Sequence, residues 1–240
     1  MDDIVRIENL SKSYDNRPAV RGLSLSVPRG TVFGLLGANG SGKTTTIECA
    51  LGTKTMDKGT VSILGMNPVT DRKRLFERVG VQFQESGHQE GIRVGELCEL
   101  TAALYAKPAQ PGALLAQFGL LEKKDALVRE LSGGQKQRLF IVLALLPQPE
   151  VVFLDELTTG LDVKARRDVW QYLKRMKADG LTIVLTSHFM DEVEALCDRI
   201  MILRHGETVF SGTVGQAIEQ SPHGTFEAAY LWHAGEEESA

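Results

Sequence analysis

The sequence has no apolar run long enough to cross a bilayer. The apolar stretch from Phe140 to Leu146 is far shorter than the roughly 20 residues that a membrane-spanning helix needs. The first residues, MDDIVRIENL, lack the basic segment and the following apolar segment of a secretory signal. We therefore expect a chain that does not cross a membrane by itself and that resides in the cytoplasm.

Cysteine and excess charge are also scarce. The three cysteines, Cys49, Cys98 and Cys197, lie far apart and fit neither a zinc site nor a disulfide framework, so we expect them to be reduced and structural. The 240 residues carry 27 Lys and Arg against 31 Asp and Glu, a net charge of −4. Because the basic residues are scattered along the chain, no nucleic-acid partner is expected. The hydrophobic content of 42% indicates a globular protein and excludes disorder.

Short apolar segments predict an α/β fold. Residues 4–35 contain strand-length runs separated by turn residues, a pattern typical of a small antiparallel sheet that leads into a buried strand. The apolar runs 151–154 and 181–186 flank a helical stretch, 163–178, and this order predicts a parallel sheet covered by helices on both faces. Between residues 85 and 146 the apolar residues follow helical spacing, which predicts an inserted helical lobe.

The domain organisation follows from the same segments. No Pro/Ser-rich linker or charge run divides the chain, so we predict one domain over residues 1–240. Residues 1–84 and 147–215 are assigned approximately to a catalytic core that includes the antiparallel β subdomain. Residues 85–146 are assigned to the helical lobe and residues 216–240 to a short C-terminal helix and tail.

Residues 37–44, GANGSGKT, match the phosphate-binding pattern G-x-x-x-x-G-K-[ST]. The motif follows the apolar strand TVFGLL and precedes the helical stretch TTTIECAL, which is the context that the pattern requires. Glycines let backbone N–H groups converge on phosphate oxygens, Lys43 reaches the β- and γ-phosphates, and Thr44 offers its hydroxyl to Mg²⁺. A Gly-rich turn that matches by chance is the alternative. The candidate nucleotide-binding residues here are Gly37, Asn39, Gly40, Ser41, Gly42, Lys43, Thr44 and Thr45.

Two adjacent carboxylates, Asp155 and Glu156, follow the buried strand predicted at residues 151–154. Open parallel sheets bind their ligands at the carboxyl ends of strands. Asp155 is therefore suited to bind Mg²⁺ directly or indirectly, and Glu156 is suited to polarise the water that attacks a γ-phosphate. The alternative is a solvated acidic turn after a core strand.

A third motif, LSGGQ at residues 131–135, lies between the loop and the two carboxylates. In this order the three motifs resemble the ATP-binding cassette (ABC) ATPases, and LSGGQ is the most family-specific of them. Taken alone, a Ser and two Gly before an apolar helix are either a second anion-binding helix start or an ordinary N-cap. The resemblance implies the P-loop NTPase fold and two cassettes arranged head to tail. Each ATP would lie between the loop of one cassette and the signature residues of the other, which are Ser132, Gly133, Gly134 and Gln135.

The resemblance covers nearly the whole chain and implies roles for further residues. Tyr14 resembles the aromatic residue that stacks on adenine, although a sheet tyrosine packed on the core is the alternative. Gln84 resembles the glutamine that contacts Mg²⁺ and water. Gln82 lies on the same strand face and is the other glutamine that could be matched to this position. Asp162, in TGLD, resembles the acidic residue of the loop that crosses to the opposing site. His188 resembles the histidine that senses the γ-phosphate and positions the attacking water, with a structural histidine as the alternative.

Two positions depart from the usual pattern of the family. Leu157 stands where proline usually follows the two carboxylates, which would loosen the turn that aims Glu156. Arg93 stands where many members carry threonine before the helical lobe. No catalytic position is missing, so we expect a working ATPase that uses ATP and Mg²⁺.

A cassette without a membrane span resembles the nucleotide-binding subunit of a transporter whose transmembrane permease subunits are separate chains. The resemblance implies a homodimer or a cassette heterodimer that ATP closes, held on the inner face of the cell membrane by the permease. The permease contact is expected near Gln84 and residues 85–93, with an ordinary mobile surface loop as the alternative. The stretch TSHFMDEVEALCDRI and the short C-terminus resemble bacterial exporters of drugs, polysaccharides or lipids. A soluble ABC ATPase of translation or DNA repair and a low-turnover nucleotide switch are the alternatives.

Overall fold

The computed structural model describes residues 3–83, 91–156, 158 and 160–236. The chain divides into two units, Met1–Leu75 with Thr182–Ala240, and Phe76–Leu181. The bounds predicted above for the core, the helical lobe and the tail stay a prediction. None of the helices in the described part of the chain is both long and apolar enough to span a bilayer.

Strands and helices alternate along most of the chain. In chain order the strands are β1 (Asp3–Tyr14), β2 (Arg17–Pro28), β3 (Val32–Leu36), β4 (Lys58–Ile63), β5 (Val79–Gln82), β6 (Val151–Leu154), β7 (Thr182–Thr186), β8 (Arg199–Arg204) and β9 (Glu207–Gly212). The helices are α1 (Lys43–Ala50), α2 (Arg72–Phe76), α3 (Val94–Ala102), α4 (Pro111–Gln117), α5 (Gly133–Leu145), α6 (Val163–Ala178), α7 (Met190–Leu196), α8 (Val214–Glu219) and α9 (Phe226–Ala234). Two short 3₁₀ turns follow α4, at Leu121–Lys123 and Val128–Glu130.

The first unit begins with an antiparallel sheet in the order β2-β1-β4. Ile7 of β1 is paired with Leu25 on one side and Val61 on the other, and all three side chains are buried. Asp15 and Asn16 connect β1 to β2 with φ of 46° and 62°, a backbone conformation that Asp and Asn tolerate better than most residues. The antiparallel β subdomain predicted from sequence is confirmed.

A second sheet in the first unit is mostly parallel. β3 lies between β7 and β8 and pairs in parallel with both, while β9 returns antiparallel to β8. Every residue of β3 and β7 is buried, which explains why these strands have continuous apolar sequences without alternation. The carboxyl end of β3 opens into the phosphate-binding motif.

Two helices follow β9, where the sequence predicts one. The hydroxyl of Thr213 accepts a hydrogen bond from the Gln216 amide at the start of α8, and Thr225 caps α9 in the same way. Ala217 of α8 and Phe226 of α9 are fully buried with apolar residues of β8 and β9. Each helix is therefore stabilised by its own cap and by one face packed on the hairpin.

The second unit combines a parallel strand pair with several helices. β5 and β6 pair in parallel, with Val79 opposite Val151. The helix predicted at residues 163–178 is confirmed as α6 (Val163–Ala178), which the Asp162 side chain caps and which buries Val169 and Leu173. These local caps and apolar positions explain why its bounds follow from sequence.

A close approach of β5 to α5 predicts a large loss of stability on substitution of Gly80. A Cβ added to Gly80 of β5 would lie 2.0 Å from the carbonyl oxygen of Ala144 in α5. We expect Gly80→Ala to lower the free energy of unfolding by about 3 kcal/mol, because the helix must shift to admit one methyl group. Chemical denaturation measures this change as a lower midpoint. The control is Gly112→Ala in α4, where a Cβ meets open space; equal midpoints for the two variants would contradict the packing argument.

Candidate functional site

The phosphate-binding motif of the first unit forms the turn between β3 and α1. Gly37 and Gly42 have positive φ of 144° and 106°, conformations that favour glycine. A Cβ at Gly37 would lie 2.4 Å from the Leu203 carbonyl oxygen, and a Cβ at Gly42 would lie 2.5 Å from the Ala19 carbonyl oxygen. Both positions therefore require glycine for space as well as for conformation. The turn also directs the N-terminus of α1 into the loop, where its backbone N–H groups suit an anion.

The polar groups of this loop suit an anionic ligand. The Lys43 side chain is only 8% exposed, and its Nζ donates to the carbonyl oxygens of Gly37 at 2.6 Å and Ala38 at 3.0 Å. The ammonium thus lies over the loop. Ser41 Oγ is buried and has no hydrogen-bond partner among the described residues. Asn39 and Thr44 are exposed, at the tip of the loop and on the first turn of α1.

Tyr14 and His188 also belong to the first unit. Tyr14 ends β1, and its side chain is 40% exposed, so the alternative of a core tyrosine does not hold. His188 follows β7 and is exposed. Its ring centroid lies 4.3 Å from that of Phe189, whose amide donates to Ser187 Oγ at 3.0 Å. This hydrogen bond sets the turn that carries the histidine out of the sheet.

The two carboxylates lie at the end of β6 in the second unit. Asp155 is 2% exposed, whereas Glu156 is half-buried and has a φ of 52°. A left-handed glutamate is uncommon, and such residues occur often at active sites. The Gln137 side chain on α5 donates to the Glu156 carbonyl oxygen at 3.4 Å. The backbone of Glu156 is therefore held in place by α5, the helix that begins within LSGGQ.

Gln82 is the described glutamine beside these carboxylates. Its Nε2 donates to the carbonyl oxygens of Phe83 at 2.9 Å and Asp155 at 3.2 Å, while its own carbonyl accepts the Asp155 amide. The Gln82 Oε1 atom is buried without a hydrogen-bond partner in the described part of the chain. Gln84, the glutamine assigned above to Mg²⁺ and water, lies outside the described residues.

The LSGGQ segment starts α5 with a reciprocal cap. Ser132 Oγ accepts the Gln135 amide at 3.2 Å, and Gln135 Oε1 accepts the Ser132 amide at 2.9 Å. Ser132 and Gly133 remain exposed. Arg138, on the next turn, donates to the carbonyl oxygens of Gly134 at 3.4 Å and Phe118 at 2.9 Å. The signature residues are thus rigidly capped, with the N-terminal end of the helix open to solvent.

Asp162 also acts as a helix cap in the second unit. Its Oδ1 accepts the Ala165 amide at 2.9 Å at the start of α6. Asp162 is exposed. A structural role as a cap and a contact with an opposing cassette are therefore compatible.

Comparison with known proteins decides the family. The model of the family described as "ABC transporter" matches residues 20–159, from within β2 to three residues after Glu156. The chain belongs to the ABC transporter family. The resemblance read from the three motifs is thereby confirmed, and the chain is an ATP-binding, ATP-hydrolysing cassette of that family.

Several relatives of this ABC cassette carry the name Nod factor export ATP-binding protein I. The protein from Ralstonia nicotianae is 41% identical over 222 residues, which are 90% of this chain and 68% of the relative. The protein from Burkholderia orbicola is 42% identical over 221 residues, which are 90% of this chain and 72% of the relative. The similarity extends well beyond the short motifs, over nearly all of the cassette.

Solved structures of ABC cassettes have the same fold. An ATP-binding subunit of an ABC transporter has a TM-score of 0.88 and 25% sequence identity, covering 96% of this chain and 99% of its own. A dimeric cassette in a post-hydrolysis state bound to ADP and Pi has a TM-score of 0.80 and 25% identity, covering 87% of this chain and 98% of its own. The predicted P-loop NTPase fold, with its antiparallel β subdomain and helical insertion, is confirmed.

Sequence reasoning missed two lysines of the cassette that lie against Tyr14. The Nζ atoms of Lys12 and Lys54 are each 5.3 Å from the centroid of the Tyr14 ring. Lys12 is two residues before Tyr14 on the same strand face, a signal that could have identified it. Lys54 follows α1 and reaches the ring only through the tertiary fold.

Proposed function

We propose that this ABC ATPase powers export across a membrane as one of two cassettes beneath separate transmembrane permease subunits. The observation that carries the proposal is the 41% identity, over 90% of the chain, to proteins named for export. The same similarity favours a transporter subunit over a translation or repair ATPase and over a nucleotide switch. The cassettes are a homodimer or a heterodimer on the inner face of the membrane.

The loop and Tyr14 are proposed to hold ATP. Lys43 and the backbone N–H groups of the loop receive the β- and γ-phosphates, and Tyr14 stacks on adenine. The buried Ser41 hydroxyl has no hydrogen-bond partner among the described residues, and this supports the assignment because a phosphate oxygen would supply that partner. Glycine at positions 37 and 42 lets the loop pass close to the Leu203 and Ala19 carbonyl oxygens and so sets its path. The remaining loop residues of the proposed site are Asn39, Gly40, Thr44 and Thr45.

Oxygen-bearing residues near the two motifs are proposed to hold Mg²⁺ with the nucleotide. Mg²⁺ prefers oxygen ligands, and Thr44, Gln84 and Asp155 provide a hydroxyl, an amide carbonyl and a carboxylate oxygen, respectively. When bound, the ion neutralises charge on the β- and γ-phosphates. The near-complete burial of Asp155 suits a carboxylate whose charge a cation balances.

Glu156 and His188 are proposed to act on the attacking water. The Glu156 carboxylate accepts the proton of that water, and the His188 ring orients the water near the γ-phosphate. Gln84 would contact the same water. The left-handed backbone of Glu156 supports this role, because a strained residue persists only where its surroundings hold it in place.

The start of α5 is proposed to contact the nucleotide of the opposing cassette. A 13-residue helix carries partial positive charge at its N-terminus, which favours an anion there. Ser132 and Gly133 are exposed at this end, and Gly134 and Gln135 complete the segment. Asp162 would cross to the opposing site from the start of α6. The starts of α1 and α5 would both contact nucleotide when two copies of the cassette face each other.

Exposed leucines on the helical part of the second unit support a membrane partner. Leu100 and Leu104 are 60% and 76% exposed, on and just after α3. Arg93, at the start of the same helix, donates to the Asp125 carbonyl oxygen, which holds its side chain against this unit. Of the contact segment predicted at residues 85–93, only residues 91–93 are described. We propose that this apolar face receives a helix of the permease.

Co-purification tests the transporter proposal. A tagged Glu156→Gln variant with ATP is isolated from detergent-solubilised native membranes, and its partners are identified by mass spectrometry. We expect one polytopic membrane protein in stoichiometric amount. In vesicles that hold the wild-type cassette with the same membrane protein, ATP on the cassette side should drive substrate away from that side. Recovery of only ribosomal, nucleic-acid or soluble partners would contradict the proposal, and movement toward the cassette side would indicate import.

The apolar face with Leu100 and Leu104 gives a prediction that is independent of ATP hydrolysis. We expect Leu100→Asp combined with Leu104→Asp to abolish co-purification of the membrane partner, because a carboxylate cannot enter an apolar contact without a large desolvation cost. The ATPase rate of the purified cassette should stay within about twofold of wild type, as exposed substitutions are generally tolerated. Leu121→Asp is the matched control, since Leu121 is also exposed in this unit. Loss of the membrane partner with Leu121→Asp as well would contradict a contact specific to Leu100 and Leu104.

A further inference from the structure

The ring of Tyr14 lies against two ammonium groups that belong to different parts of the first unit. Lys12 is on β1 with Tyr14, whereas Lys54 lies between α1 and β4. Each Nζ is 5.3 Å from the ring centroid, within the range of a cation–π interaction. An exposed tyrosine at the end of a strand would otherwise be free to change rotamer. Its ring is thus held although it is not buried.

Lys12 is fixed by Asp57. Its Nζ forms an ion pair with Asp57 Oδ1 at 3.1 Å, and Asp57 Oδ2 accepts the Ser13 amide at 2.7 Å. The hydrogen bonds from Lys12 and from the Ser13 backbone lower the pKa of Asp57, so this carboxylate is charged at neutral pH. Asp57 therefore connects the Lys12 ammonium to the backbone of Ser13, the residue directly before Tyr14.

Lys54 connects the ring to the phosphate-binding helix. Its Nζ forms an ion pair with Glu48 Oε2 at 3.1 Å, and Glu48 belongs to α1, the helix that begins at Lys43. Glu48 is five residues beyond Lys43, roughly 7.5 Å along the helix axis. The Glu48 carboxylate, and to a smaller extent the Tyr14 hydroxyl, raise the pKa of Lys54. The Tyr14 ring is thus tied to the element that carries the phosphate loop.

We propose that Lys12 and Lys54 are positioning residues that preset the Tyr14 ring for the adenine base. The inference rests on the proposed role of Tyr14 and adds two residues that the family resemblance did not indicate. A ring already held at a set distance from the phosphate loop loses less conformational freedom when the base stacks on it. The two lysines therefore act through the ring, and they affect the base and not the phosphates.

Comparison of two ligands tests this action. Dissociation constants for ATP and for inorganic tripolyphosphate are measured on wild type, Lys12→Met and Lys54→Met. We expect each variant to bind ATP about two- to fivefold more weakly, the effect of one exposed cation–π contact, and to bind tripolyphosphate as wild type does. Lys54→Arg, which keeps a cation for the ring, should restore ATP affinity. Equal losses for both ligands would show that the lysines serve the phosphates, and no loss for either would also overturn the inference.

A double-mutant cycle separates this inference from the proposed function. In a Tyr14→Ala background, Lys54→Met should cause no further loss of ATP affinity, since the group through which it acts is gone. Lys58→Met, at an exposed lysine of β4, is the matched control and should leave all affinities unchanged. A further loss in the Tyr14→Ala background would overturn the positioning role alone. ATP affinity that is unchanged by Tyr14→Ala itself would overturn the adenine assignment and the inference together, whereas a wild type that binds no ATP would overturn the proposed function.

Discussion

Glu156→Gln is expected to reduce ATP turnover by about 10²- to 10⁴-fold and to leave ATP binding intact. The carboxylate is proposed to accept the proton of the attacking water, and general-base catalysis contributes an effect of about this size. The amide has nearly the same shape but cannot accept that proton. Because the side-chain length is unchanged, the left-handed backbone of residue 156 and the hydrogen bond from Gln137 to its carbonyl oxygen should persist.

Turnover and oligomeric state are measured on the same preparations. Steady-state phosphate release gives the turnover, and size-exclusion chromatography with and without ATP gives the mass of the complex. We expect Glu156→Gln to form a dimer with ATP, because the bound nucleotide is no longer consumed. Glu122→Gln, at an exposed glutamate of the same unit, should behave as wild type. Equal hydrolysis by wild type and Glu156→Gln would show that another group accepts the proton.

Lys43→Ala is expected to weaken ATP binding by about 100-fold or more. Hydrogen bonds to charged groups contribute about 1.5–3 kcal/mol each, and two of them from one ammonium to phosphate oxygens correspond to at least this factor. Lys43 lies over the loop, bonded to the Gly37 and Ala38 carbonyl oxygens, so its ammonium needs only a small movement to reach a phosphate. The free energy of unfolding without nucleotide should also be compared, because the variant removes these two bonds.

Thermal stabilisation by ATP provides the second readout for Lys43. A ligand that binds only the folded state stabilises it in proportion to the logarithm of its concentration over the dissociation constant. ATP should therefore raise the melting temperature of wild type and of the control Lys58→Ala, and should raise that of Lys43→Ala only at far higher concentration. Tight binding of ATP by Lys43→Ala would place the phosphates outside the loop.

Glycines and helix caps in this sequence predict well those structures that are formed by neighbouring residues. The phosphate loop is one such structure, because glycine at positions 37 and 42 is needed both for the backbone angles and for the close carbonyl oxygens. The bounds of α6 also follow from nearby residues, since Asp162 caps its start and Asp179-Gly180 ends it. In both cases the residues that decide the conformation are within a few positions of one another.

Burial and long-range contacts were less accessible to sequence reasoning. The sequence leaves open whether Tyr14 is packed in the core, and the structure exposes it beside two lysines. Helical spacing places Leu100 and Leu104 on one face but does not say whether another element covers that face. Lys54 meets Tyr14 from 40 residues further along the chain, which no local pattern predicts.

By itself, then, the sequence determined the family, the phosphate loop, the ATPase chemistry and the helix at residues 163–178, because each of these depends on residue types at short, fixed spacing. The tertiary structure alone decided which apolar faces stay exposed and which lysines lie beside Tyr14. It also decided that Gln82 contacts the Asp155 carbonyl oxygen. These features depend on residues that are distant in sequence, and only the packing of strands and helices brings such residues together.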